Sequence, residues 1–290
     1  MWQIDYQVSN LVARHRGTLP VLIACPHNGD VEPAGVPERS GQATPEGCNF
    51  EKNRDRHTRE ITVKLAQRVL EIFGEAPYVV IAEFHRKCID ANRSEQCAFE
   101  VDAARPFYRE YHDTVRAFVD EIRTDNGGLG LLFDIHGTAG IAGDPEDTIY
   151  LGTANGETVA RLLAADPQAL WRPRSLRGFL EAAGHVVSPP EPGIPETPAL
   201  SGGFTVRTYG SSHADGLDAM QLEIGAPLRV DPDRREALIE VLAFAIGNLV
   251  SRYADSHTLT ATVSSRGGAP RRRPGPPREC PGSAAQAIDV

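Results

Sequence analysis

The stretch GLGLLFDIHGTAG, Gly128–Gly140, reads as a buried strand that ends in chemistry. Six apolar or glycine positions run without a charge, and then Asp134, Ile135, His136 and Gly137 close the segment. A continuous apolar run of this length is what a sheet covered on both faces requires. A histidine where such a strand ends projects into the crevice at the carboxyl edge, where α/β sheets bind ligands.

Working outward, similar short apolar runs predict strands at residues 19–25, 78–82, 148–153 and 219–224, with a further candidate at 204–208. Amphipathic stretches between them predict helices at residues 54–73, 106–123, 156–165, 173–183 and 233–253. Asp231 with Pro232 opens the last helix, and Gly74 closes the first. The alternation makes the body α/β. The five prolines between Ser188 and Gly203 exclude a regular element there, and a loop of that length in a compact domain is often a binding or lid loop. No internal repeat or linker interrupts residues 1–254, so these are expected to form one domain. Residues 255–290, rich in Gly, Pro, Ser and Arg, are expected to be a disordered tail.

Composition narrows the functional classes. A net charge of −9 argues against a nucleic-acid partner, and the basic run in APRRRPGPPRE falls inside the expected tail. No apolar run approaches the roughly 18 residues of a membrane span, so no membrane partner is expected. The opening residues show no leader pattern. Five cysteines, with no CxxC pair, are not expected to form a disulfide framework, which points to a reducing cytoplasm.

The first core strand ends VLIACPHNGDVEP, placing His27 as the second strand-end histidine. Two imidazoles at the ends of two core strands, with one carboxylate, make the donor set of a catalytic zinc site. Asp30 or Glu32 could return to the metal from the same turn. In the last core strand, AMQLEIGAP, Glu223 faces opposite to Leu222 and Ile224. A carboxylate in a buried strand needs a partner or a function, and one with a raised pKa suits a general base; pairing with an arginine is the plainer reading. Asp134 shares a side with His136 and could orient it. Between the metal strands, Arg86, Asn92 and Arg93 supply two guanidiniums and an amide suited to gripping a carboxylate or an oxyanion. No G-x-S-x-G elbow supports a serine hydrolase. Cys25 reads as a small buried thiol, and His57, His85, His112, His185, His213 and His257 carry no motif.

The ordered series PHNGDVEP, HRKCIDANR, YREYH, FDIHG, IYLGT, GGFTVRTYG and QLEI resembles the N-formylglutamate amidohydrolase family, within the zinc carboxypeptidase and aspartoacylase group. The resemblance covers most of the chain to about Gly225. It implies a three-layer α/β/α fold with a mixed central sheet, one zinc per chain held by His27 and His136, and Glu223 as general base. Asp90, Ala91, Asn92 and Arg93 look like the D-x-N-R segment of carboxypeptidases. By that likeness Asp90 orients the first metal histidine, while Asn92 and Arg93 bind the substrate carboxylate. Arg86 would polarise the scissile carbonyl, and Tyr209 with Gly210 would sit on a substrate-side loop. The spacing from His27 to Glu32 is like that of the related poly-γ-glutamate hydrolases and favours Glu32 as the third ligand. Asp30 is a rival and Asp55, at the start of the first helix, a more distant one. The implied activity is zinc-dependent hydrolysis of an N-formyl or N-acyl amide of an acidic amino acid, on a small carboxylate-bearing substrate. A γ-glutamyl or other N-acyl amidohydrolase, and a non-catalytic binding protein of the same fold, are the alternatives.

Overall fold

The computed structural model describes residues 3–43 and 45–266, with side chains described through residue 251. The elements in chain order are β1 (Gln7–Ser9), β2 (Val12–His15), β3 (Leu19–Cys25), α1 (Thr58–Phe73), β4 (Pro77–Ala82), α2 (Glu95–Ala98), α3 (Arg105–Asp125), β5 (Leu131–Thr138), β6 (Ile149–Gly152), α4 (Ala160–Ala165), α5 (Leu176–Ala182), β7 (Val187–Ser188), α6 (Phe204–Tyr209), β8 (Asp218–Gly225), α7 (Ala226–Val230) and α8 (Pro232–Arg266).

The eight strands form one sheet in the order β1-β2-β4-β3-β5-β8-β6-β7. The central run β4-β3-β5-β8 is parallel. The flanks are mixed, since β1, β2 and β4 pair antiparallel, as do β8 and β6, while β6 and β7 are parallel. This is the three-layer α/β/α architecture with a mixed central sheet that the family resemblance implies.

Strand periodicity sorts the core into two halves. Val21, Ile23, Phe133, Ile135, Leu222 and Ile224 pack on one face with Ile61, Leu65 and Val69 of α1 and Leu238, Leu242 and Ile246 of α8. Leu22, Leu132 and Ala219 face the other way, against Tyr111, Val115, Val119 and Ile122 of α3 and Val206 of α6. Each such fully buried aliphatic side chain contributes about 1.5–3 kcal/mol. Because side chains alternate along a strand, Asp134 and His136 continue the face of Leu132, and Gln221 and Glu223 continue that of Ala219. The polar residues thus gather at the carboxyl ends of β5 and β8, on the α3 and α6 side of the sheet.

Several expectations need correction. The candidate strand at 204–208 is the helix α6. The β1–β2 hairpin turns through Asn10 and Leu11, both at positive φ, so it lacks the Asn-Gly signal that marks such turns. α1 begins at Thr58 rather than residue 54, because residues before it form a loop bound to the site. α8 continues to Arg266, past the expected start of the tail, while the rest of that tail and Cys280 lie outside the described residues. Cys48 and Cys97 are joined by a disulfide, which departs from the expectation of unpaired thiols in a reducing compartment. A pairing across 49 residues leaves no local sequence motif. Cys25 and Cys88 are free and buried. Among the described residues no helix is long and apolar enough to cross a membrane.

Candidate metal centre

Two loops and the end of a strand meet at the carboxyl edge of the sheet. His27 follows β3, His136 lies near the end of β5, and Asp55 sits three residues before α1. The two imidazole rings approach edge to face with centroids 4.7 Å apart. Asp55 Oδ2 lies 3.3 Å from His27 Nδ1 and 3.1 Å from His136 Nδ1. All three side chains are buried, and their ligand atoms fall within 4.8 Å of one another.

The outer nitrogens are fixed by two further carboxylates. His27 Nε2 is 2.7 Å from Asp90 Oδ1, and His136 Nε2 is 2.9 Å from Asp134 Oδ2. A carboxylate only accepts, so each Nε2 is placed to donate to its outer carboxylate, which leaves Nδ1 as the ring nitrogen that a cation beside Asp55 would engage. Asp90 is itself held by the Asn92 N–H at 3.0 Å and by Arg86 Nε at 3.0 Å. Asp90 and Asp134 are fully buried, so removing an imidazole would strand a buried charge.

Asp55 is locked in place by its own backbone. Its N–H donates to the His27 carbonyl at 3.1 Å, its carbonyl accepts from the Thr58 hydroxyl at 2.8 Å, and its Oδ2 accepts from the Gly137 N–H at 3.1 Å. Arg86 Nη1 lies 3.4 Å from Oδ1. Burial would raise the Asp55 carboxyl, but the two imidazoles outweigh it and hold it well below the usual carboxylate range. Burial likewise opposes charge on His136, yet Asp134 and Asp55 push its pKa well above that of a free imidazole. The space between these groups therefore draws positive charge.

Glu32 and Asp30 do not reach this point. After His27 the chain turns at Gly29, where a Cβ would come within 2.3 Å of the Glu83 backbone. Val31 then forms a parallel bridge to Phe84, and its neighbours turn outward. The Glu32 side chain is 64% exposed and bound to Lys87 Nζ at 2.6 Å, while Asp30 lies 3.5 Å from Arg54 and is 74% exposed. Asp55, the distant rival in the sequence, takes the position instead.

Glu223 stands directly across the β5–β8 ladder from His136. Its Oε1 accepts from Gln221 Nε2 at 2.8 Å, while Gln221 Oε1 accepts from the Gly203 N–H at 2.6 Å. No arginine pairs with Glu223 among the hydrogen bonds and ion pairs of the described residues, and burial raises its pKa. Asn92 Oδ1 accepts from the Thr205 N–H at 2.8 Å, and its Nδ2 lies 3.2 Å from His136 Nε2. Arg93 donates to the Asn49 and Asn92 carbonyls. Asn92 thus touches His136, and Arg86 reaches the centre through Asp90 and Asp55, while the Arg93 guanidinium is tied to backbone carbonyls.

Tyr209 is buried at the end of α6, not on the substrate-side loop that the resemblance implies, and Gly210 forms a parallel bridge with Leu217. The Tyr209 hydroxyl is 2.9 Å from His112 Nδ1, and the opposite nitrogen of His112 donates to the Ala91 carbonyl at 3.0 Å. His112, given no role from sequence, therefore ties α3 and α6 to the loop that carries Asp90 and Asn92. Burial pushes its pKa down to about 4, below the ordinary value of 6.5. As pH falls through that window the unfolded chain takes up the proton first, so folding stability drops. A loss of about 3 kcal/mol is expected between pH 6.5 and 4. Urea unfolding across that range should show the slope in the native protein and lose it in His112→Gln.

No family sequence model and no curated protein sequence matches the chain. Solved structures do. N-formylglutamate amidohydrolase from Ralstonia eutropha JMP134 superimposes with a TM-score of 0.58 at 16% identity, covering 84% of this chain and 98% of that one. A gene product from Agrobacterium tumefaciens gives a TM-score of 0.56 at 18% identity, covering 83% and 95%. At the level of the fold, the resemblance seen in the residues is upheld: this chain shares the architecture of N-formylglutamate amidohydrolase.

Proposed function

We propose that the chain is a zinc-dependent amidohydrolase that releases a formyl or acyl group from the nitrogen of an acidic amino acid, N-formylglutamate being the nearest substrate type. The observation that carries this is the convergence of His27 Nδ1, His136 Nδ1 and an Asp55 oxygen at one buried point.

The donor set fits a divalent cation. Two neutral imidazoles and one carboxylate suit zinc with a position open, and the outer carboxylates Asp90 and Asp134 fix the tautomers that present Nδ1. Zinc held there supplies a Lewis acid that lets water attack an amide near neutral pH. Glu223, its pKa raised by burial, takes the proton of the attacking water and passes it to the leaving nitrogen. Arg86 provides a fixed guanidinium for the oxyanion that forms on the carbonyl. Asn92 and Arg93 offer an amide and a guanidinium to the substrate carboxylate, which selects substrates bearing that group.

A panel of N-formyl, N-acyl and γ-glutamyl amino acids tests the reading. Formate release from N-formylglutamate, lost on chelation and restored by zinc, is the expected result. Failure to hydrolyse any member with zinc present sinks it, and release from the γ-glutamyl members alone moves the substrate to that class.

A further inference from the structure

Arg229, in α7, is buried with no carboxylate against its guanidinium among the hydrogen bonds and ion pairs of the described residues; its donors go to three backbone carbonyls instead. Nε donates to Ile224 at 2.8 Å, Nη1 to Arg56 at 2.5 Å and Nη2 to Thr138 at 3.1 Å. Ile224 follows Glu223, Arg56 follows Asp55, and Thr138 lies two residues after His136. One planar group thus grips the chain just beyond the general base, the carboxylate ligand and a histidine ligand. A Cβ at Gly137 would fall 2.4 Å from Arg229 Cζ, so the glycine after His136 is what lets the guanidinium lie against that backbone. The same Gly137 donates its N–H to Asp55 Oδ2. Arg235 Nη1 in turn holds the Arg229 carbonyl at 2.6 Å, anchoring α7.

Burying a guanidinium is costly, and carbonyls return less than a carboxylate would. Packing alone would be served by an apolar side chain. We infer that Arg229 is a positioning residue that holds the Asp55 loop and the ends of β5 and β8 in the one arrangement that lets His27, Asp55 and His136 share a cation. The inference rests on the metal reading above. A lysine keeps the charge but cannot reach three divergent carbonyls, so it separates the fork from the charge.

The test compares the metal-free native protein with Arg229→Lys and with Gly137→Ala, which wedges a methyl under the guanidinium. Two quantities are read: zinc affinity by competition with a chelator, and hydrogen exchange of the backbone amide at position 137. In a variant with native circular dichroism, zinc affinity should fall about 10–100-fold and that amide should exchange faster. Zinc binding as tight as native in a folded Arg229→Lys protein, or unaltered Gly137 exchange, overturns the inference. Should Arg229→Lys not fold, Gly137→Ala decides by zinc affinity and by exchange of the backbone amide at position 137, measured against the intrinsic rate of the substituted residue. If the native protein itself takes up no zinc, the metal reading falls, and Gly137 exchange alone decides the role of Arg229.

Discussion

Asp55→Ala is expected to leave a folded protein that retains no zinc after dialysis and whose amide hydrolysis falls by about a thousandfold or more, the cost of losing several kcal/mol of transition-state stabilisation. Asp55 is the only carboxylate among the described residues that meets both Nδ1 atoms. Its removal also takes away the acceptor for the Gly137 N–H and the partner of Arg86 Nη1, so no nearby group can replace it without moving the chain. Glu32→Gln and Asp30→Asn are the controls. Both side chains are solvent-exposed and paired with Lys87 or Arg54, and surface pairs of this kind contribute at most about 1 kcal/mol. Metal content by elemental analysis and turnover on N-formylglutamate should stay near native in both. Loss of zinc in Glu32→Gln with retention in Asp55→Ala would return the ligand role to Glu32 and require the Gly29 turn to rearrange.

The contrast between Asp55 and Glu32 marks how far residues alone could lead. Both histidines were legible because each terminates a dense apolar run, and a strand end is a local feature with a known place in an α/β sheet. Glu223 was legible for the same reason, as the odd charge in a buried strand. Asp55 was not, because its place depends on topology. A helix that follows a parallel strand starts at that strand's carboxyl edge, so a carboxylate just ahead of α1 returns to His27 although 28 residues separate the two. That signal was present in the sequence, but the His27-to-Glu32 spacing, like that of the related poly-γ-glutamate hydrolases, favoured Glu32. The Gly29 turn and the Val31–Phe84 bridge that carry Glu32 away are long-range contacts with no local signature.

Residues that act through other residues were the least visible. His112 and Arg229 have ordinary neighbours in sequence, and each acquires its place only when distant segments meet. The strand proposed at 204–208 failed for a related reason. Phe204–Tyr209 alternates apolar and polar side chains over a few residues, a span too short to separate the two periods, and tertiary packing of Val206 and Tyr209 against α3 decided for a helix.

Glu223→Gln should separate chemistry from structure, because the two readings of this residue predict opposite changes in stability. The amide oxygen of glutamine can still accept from Gln221 Nε2, so metal content and fold should be kept. Turnover should fall by about 10²–10⁴, the usual contribution of a general base. In the native protein the base works only when ionised, so kcat/KM should decline as pH drops through its raised pKa. The sign for stability runs the other way. A carboxyl whose pKa is higher folded than unfolded binds more protons in the native state, so stability falls as pH rises through that window. Ionising the buried Glu223 is therefore a cost to the fold, and glutamine removes it. The metal-free Glu223→Gln protein should unfold at a higher temperature than the native protein at pH 7 while being far less active. A structural carboxylate held by a cation would give the reverse, a lower unfolding temperature with activity reduced only in proportion to folded protein. Such a result would leave the proton transfer without a base on β8.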